Sequence, residues 1–107
     1  EKEHAMDVDG KKIAFDAEGF MSEPALWDDT VAAAIAKEEG IEDMSEKHWA
    51  VVRFIRTYWQ QEDLAPSVRM LCKESGVSVR EVYKLFTSGP ARGACRIAGL
   101  PKPDGCV

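Results

Sequence analysis

The chain has 107 residues, of which 45% are hydrophobic and 31% charged, and its net charge is -5. These are the proportions of one ordinary globular domain that buries its core without metals or staples. No apolar run approaches the roughly 18 residues a membrane span needs, and no signal-peptide pattern opens the chain, so a cytoplasmic protein is expected.

Ala5–Phe15 (AMDVDGKKIAF) places Asp9-Gly10 between two stretches of apolar alternation. Asp-Gly suits a two-residue turn in which both positions need φ > 0, so a small β-hairpin is expected. Ser22 followed by Glu23-Pro24 looks like an N-cap with Pro in the first turn. Trp27, Val31, Ala34 and Ile35 then recur at helical spacing until Gly40. A second helix is expected from the cap Ser45 to about Gln61, with Trp49, Val52, Ile55 and Trp59 near one face. Pro66 opens a third, holding Met70, Leu71 and Cys72 and ending at Gly76. Ser78 with Glu81 forms a capping box for a fourth, carrying Val82, Leu85 and Phe86. Gly89-Pro90 opens a short fifth through about Ala98. The expected architecture is mainly α: about five helices in a small bundle over residues 1–98, an N-terminal β-hairpin, and a mobile C-terminal arm at residues 99–107. Two prolines and two glycines deny that arm a stable local fold, and extended it would reach about 25–30 Å.

The charge is uneven along the chain. Residues 1–50 hold five Lys/Arg against fourteen Asp/Glu, and residues 51–107 hold nine against five. A basic rear half points to an anionic partner or to an unevenly charged solvated surface.

Three cysteines without a CxxC, and no His at ligand spacing from a cysteine pair, argue against zinc and against a secreted disulfide framework. Neither a metal nor a cofactor is expected in the chain itself. Thiol chemistry or plain buried thiols remain. Arg92 lies one turn before Cys95 and Arg96 beside it, so nearby positive charge is expected to favour the Cys95 thiolate. Cys106 stands beside Asp104 and the Val107 carboxylate, which disfavour its thiolate, with only Lys102 as an offset. It is expected to become reactive inside a partner's basic site. The glycines and prolines between the two cysteines would let their sulfurs meet. The bland alternative makes Cys95 a small core residue and Cys106 an incidental one. Cys72, next to Met70 and Leu71, reads as packed and inert.

Residues 67–86 (SVRMLCKESGVSVREVYKLF) have the lengths of a helix-turn-helix, with Arg80 and Lys84 facing outward for contact with DNA. Packed helix pairs are common without any nucleic-acid role, and the overall acidity opposes phosphate binding. His48 reads as a capping or packing residue, Asp28-Asp29 and Glu38-Glu39 as helix faces and ends, and the tryptophans as core. There is no glycine-rich phosphate loop and no Ser/His/Asp arrangement.

The tail GPARGACRIAGLPKPDGCV, with EGF, the Trp27 helix, KEEGI and HW upstream, closely resembles the DsrC/TusE family of small sulfur-relay proteins. The resemblance runs from the hairpin to Val107. It implies a helical fold with an N-terminal hairpin and a C-terminal arm. Members with only the penultimate cysteine include relay proteins that pass persulfide sulfur toward tRNA thiolation. Members with both cysteines, matched here by Cys95 and Cys106, resemble the partners of dissimilatory sulfite reductase. In those the arm enters toward the reductase's sirohaem, sulfur joins the terminal cysteine, and the upstream cysteine closes a trisulfide. A membrane-bound thiol–disulfide reductase complex then reduces it, while in sulfur oxidisers sulfurtransferases load the terminal cysteine instead. The sirohaem and iron–sulfur clusters belong to the partner. Asp104 departs from the small neutral residue usual there, and Gly93 loosens the helix before Cys95. Lys102, Arg92 and Arg96 offset the added negative charge.

Overall fold

Asp9 and Gly10 both adopt left-handed backbone, with φ of 51° and 79°, the twist that matches two antiparallel strands. They join β1 (His4–Val8) to β2 (Lys11–Phe15), paired from His4↔Phe15 to Val8↔Lys11. The computed structural model describes residues 4–101, without the side chains of Ala91 and Arg92. Alternation along the hairpin sends Val8, Ile13 and Phe15 into the core. Phe15 continues into a bridge with Met21, and Asp16 closes the turn by accepting the amides of Glu18 and Phe20.

The first predicted helix is two pieces. Pro24–Leu26 makes one 3-10 turn, Trp27 is extended, and α1 (Asp29–Glu38) restarts from Asp28, whose carboxylate accepts the Val31 amide. Two cap signals lie six residues apart, Ser22 and Asp28, and the second wins because Lys11 also reaches Asp28 at 2.7 Å. That hydrogen bond, followed by the one from the Val31 amide, holds the Asp28 carboxyl below its usual range. Val31, Ala32, Ile35 and Ala36 form the buried stripe of α1.

α2 (Glu46–Glu62) starts at a capping box in which Ser45 accepts the His48 amide and the His48 ring accepts the Ser45 amide. The other ring nitrogen of His48 meets the Leu85 carbonyl at 3.0 Å. Val51, Val52, Ile55 and Arg56 are its buried residues. α3 (Val68–Ser75) is capped by Ser67, one position beyond the expected Pro66, and ends at left-handed Gly76. α4 (Val79–Leu85) begins at the expected Ser78–Glu81 box. α3 packs on α2 and α4 packs on α3.

Gly89, at φ 89°, turns the chain into Pro90–Cys95, which is π-helical rather than α-helical. This wider turn packs on α2 and runs into a last helical turn through Ala98. The result is mainly helical with one hairpin, as the sequence indicates. Gly99 and Leu100, the first two residues of the expected arm, are both buried, Leu100 being 1% exposed. None of the described helices is long and apolar enough to cross a membrane.

Candidate functional site

Cys95 ends the π-helical segment and is 1% exposed, within the cluster that also holds Ala94, Ile97 and Ala98. Removing the thiol from water penalises its anion, and its pKa is pushed up to about 12. The expected thiolate-favouring role of Arg96 is therefore corrected. The Arg96 guanidinium turns away to donate to the Gly19 carbonyl, to Glu39 at 2.6 Å and to Glu38, and it lies over the Phe15 ring. Neighbours at i and i+1 point about 100° apart around a helix, so adjacency did not bring charge to sulfur. Arg96 ties α1, the Gly19 turn and the last helix together. The side chain of Arg92 lies outside the described residues, as do Lys102 and Cys106. Cys72 is half-buried against the core.

The turn that follows Cys95 ends in a Schellman arrangement. Gly99, at φ 76°, donates to the Arg96 carbonyl at 3.0 Å, and Leu100 donates to the Cys95 carbonyl at 3.2 Å. Helix ends leave further carbonyls without backbone partners. Here two side chains from elsewhere take them. The Trp27 indole N–H donates to the Ile97 carbonyl at 2.8 Å. Arg56 Nη1 donates to the carbonyls of Ala98 and Gly99, each at 3.2 Å, while Nη2 reaches the Pro24 carbonyl at 2.8 Å. Arg56 lies over the rings of Trp27 and Trp59, at 4.7 and 5.2 Å from their centroids. Its three acceptors among the described residues are neutral carbonyls, and burial lowers its pKa from the usual arginine value. The positive charge sits at the negative end of the helix dipole, where it is favoured.

Trp27, expected as core, and Arg56, which no sequence motif marks, both hold the last turn, and Glu38 and Glu39, expected as a helix face or end, hold Arg96. The available signal was an arginine one turn after Val52 on the apolar stripe of α2, a place where a lysine or arginine is rarely left unpaired. Arg80 and Lys84 are exposed on α4, as expected. Exposed Val79 and Tyr83 lie on the same helix. Lys47, on α2, bridges to Glu81 and holds its carboxyl below the usual range.

The profile of a family described as DsrC like protein matches residues 7–107. The chain belongs to that family. It is similar to the sulfurtransferase TusE of Pectobacterium atrosepticum, 42% identical over 95% of this chain and 99% of the relative. It is equally similar to the gamma subunit of dissimilatory-type sulfite reductase from Nitratidesulfovibrio vulgaris, 42% identical over 92% of this chain and 93% of the relative. The crystal structure of the oxidized gamma subunit (DsrC) from Archaeoglobus fulgidus superposes with a TM-score of 0.86 at 42% identity, covering 97% of this chain and all of that one. The family match thus begins within β1 and runs through the helices to the segment that holds both Cys95 and Cys106.

Proposed function

We propose that this chain is a sulfur carrier in which Cys106 receives a sulfur atom at a partner enzyme and Cys95 is the second thiol that closes on it. The observation that carries the reading is the family match extending to residue 107, through both cysteine positions. The relatives' names, a sulfurtransferase and a sulfite reductase subunit, both belong to sulfur chemistry. The two thiols have unequal roles. Cys95 is buried and protonated at neutral pH, so it is a poor first nucleophile. Cys106 is the sulfur-bearing group, and Cys95 enters only after its turn opens.

The partner in this reading is dissimilatory sulfite reductase, whose sirohaem and clusters supply the electrons for reducing sulfite. Sulfur leaves it on Cys106 two electrons short of S(0), and Cys95 closes a Cys95–S–S–S–Cys106 trisulfide: both thiols give up their protons and pass together two electrons to that sulfur, which ends as the central S(0). A membrane-bound thiol–disulfide reductase complex returns both cysteines to thiols and releases sulfide. The protein is a co-substrate of that chemistry rather than a self-sufficient enzyme. Lys102 offsets Asp104 near the reacting sulfur, and residues beyond Leu100 form the part delivered to the partner.

Incubation with dissimilatory sulfite reductase and sulfite, followed by mass spectrometry, tests this reading. Added sulfur is expected on the peptide holding Cys106 and none in Cys106→Ala. Loading that persists without Cys106 would refute it. Persulfide relay toward tRNA thiolation is the second reading, favoured by the similarity to TusE over nearly the whole chain. In that case sulfur arrives from a sulfurtransferase persulfide, and Cys95→Ala leaves delivery intact.

A further inference from the structure

Cys95 presents a problem for any chemistry that pairs it with Cys106. Its side chain is 1% exposed, and its carbonyl is tied to the Leu100 amide, just before the tail begins. For the sulfur to meet another sulfur it must first be uncovered, and the turn from Cys95 to Gly99 is what holds it in the body. Three consecutive carbonyls of that turn are gripped by side chains from outside it: Ile97 by Trp27, and Ala98 and Gly99 by Arg56. The grip is tight enough that a Cβ on Gly99 would fall within the Trp27 indole and 2.9 Å from Arg56 Nη1. Arg56 is 8% exposed and, among the described residues, has no carboxylate as an acceptor. Its charge is spent on backbone oxygens of the last helical turn and of Pro24.

We propose that Arg56 and Trp27 are positioning residues for the sulfur chemistry: together they lock the last helical turn and keep Cys95 out of reach of Cys106 until residues 97–99 come off these two side chains. The inference rests on the sulfur-carrier reading and adds its regulation. With the lock closed, Cys106 stays a free acceptor and is not consumed by premature pairing within the chain. With the lock open, Cys95 is uncovered on the same segment that leads into the tail, and closure follows. In a glutathione buffer the closing step is balanced. Cys95-SH and Cys106-SH together lose two protons and two electrons to glutathione disulfide, which becomes two molecules of glutathione, and one S–S bond forms as another breaks.

The test uses the full chain with Cys72→Ala, equilibrated with glutathione and glutathione disulfide, quenched in acid and resolved by mass spectrometry. Trp27→Phe removes the indole donor but keeps an aromatic ring, and Arg56→Gln removes the cation. Each is expected to raise the ratio of Cys95–Cys106 disulfide to dithiol about tenfold. Val82→Ala, which loosens the core on α4 rather than on the elements that carry the lock, controls for general destabilisation and should leave the ratio near that of the parent. If Arg56→Gln does not fold, Trp27→Phe alone decides. An unchanged ratio in the folded lock variants overturns the proposal, as does an equal rise in Val82→Ala. Treating the parent protein with glutathione persulfide checks the underlying reading separately. No sulfur on Cys106 would count against the carrier role, whatever the disulfide ratios show.

Discussion

Gly76 and Gly99 share nearly the same backbone, φ 77° and 76°, and differ in what surrounds them. A Cβ on Gly76 meets nothing within 4 Å, whereas on Gly99 it would land in the Trp27 indole. Left-handed backbone costs an L-residue roughly 1–2 kcal/mol, so Gly76→Ala is expected to lose that amount and little else. Gly99→Ala carries the same strain and must also displace Trp27. That breaks the indole bond to Ile97, worth about 1 kcal/mol, and leaves a buried carbonyl unpaired at a further cost of about 1–2 kcal/mol. The total is about 3–5 kcal/mol, a large fraction of the stability of a small domain. Urea unfolding followed by far-UV circular dichroism measures both variants on one scale. In a Trp27→Ala background the excess of Gly99→Ala over Gly76→Ala should shrink, because the indole is gone and only Arg56 Nη1, 2.9 Å from that Cβ, is left in its way. Losses that agree within about 0.5 kcal/mol in the native background, on the scale of ordinary additivity error, would show that the indole does not press on Gly99.

The Cys95 thiol ionises near 9.0 when unfolded and near 12 when folded, so the fold holds its proton more tightly. Its contribution to stability is complete below about pH 9 and fades as the pH rises toward 12; Cys95→Ala should flatten stability against pH across that window. Asp28 has the opposite sign, because Lys11 and the Val31 amide lower its pKa from 3.8. Its contribution is present above that value and lost on further acidification, so Asp28→Asn should flatten the acid limb of a pH–stability curve. Arg96→Met removes donors from Gly19, Glu38 and Glu39 together and should cost about 2–4 kcal/mol by denaturant unfolding, the partial exposure of Glu38 holding it below the full cost of breaking a buried pair. Arg96→Lys should recover only part of this, since one ammonium does not reproduce a fork that serves three acceptors.

Local chemistry was legible where it is decided locally. Asp9-Gly10, Ser45, and Ser78 with Glu81 each satisfy a turn or cap within four residues of themselves, and each stands where the spacing put it. Trp27-Asp28 was harder. The break in the first helix depends on Lys11, which comes from the hairpin and is brought to Asp28 only by folding. The same limit applies to the thiol. Arg96 is adjacent to Cys95 in sequence, but its partners are 57 to 77 positions away, and no window on the sequence weighs Gly19 or Glu39 against a neighbouring sulfur. The Arg56 contacts span 42 and 43 positions to the last turn. The site was thus visible as cysteines and a tail. The residues holding Cys95 were not, because they belong to other elements.

The π-helical stretch Pro90–Cys95 leads into a segment enclosed on every side. Ala94, Cys95, Arg96, Ile97, Ala98 and Leu100 are all buried, although successive residues of a helix point about 100° apart. Rotating that segment about its own axis would therefore exchange one buried side chain for another and leave the sulfur covered. The upstream thiol becomes accessible through a movement of backbone, of the segment or of what covers it, rather than through the swing of one side chain.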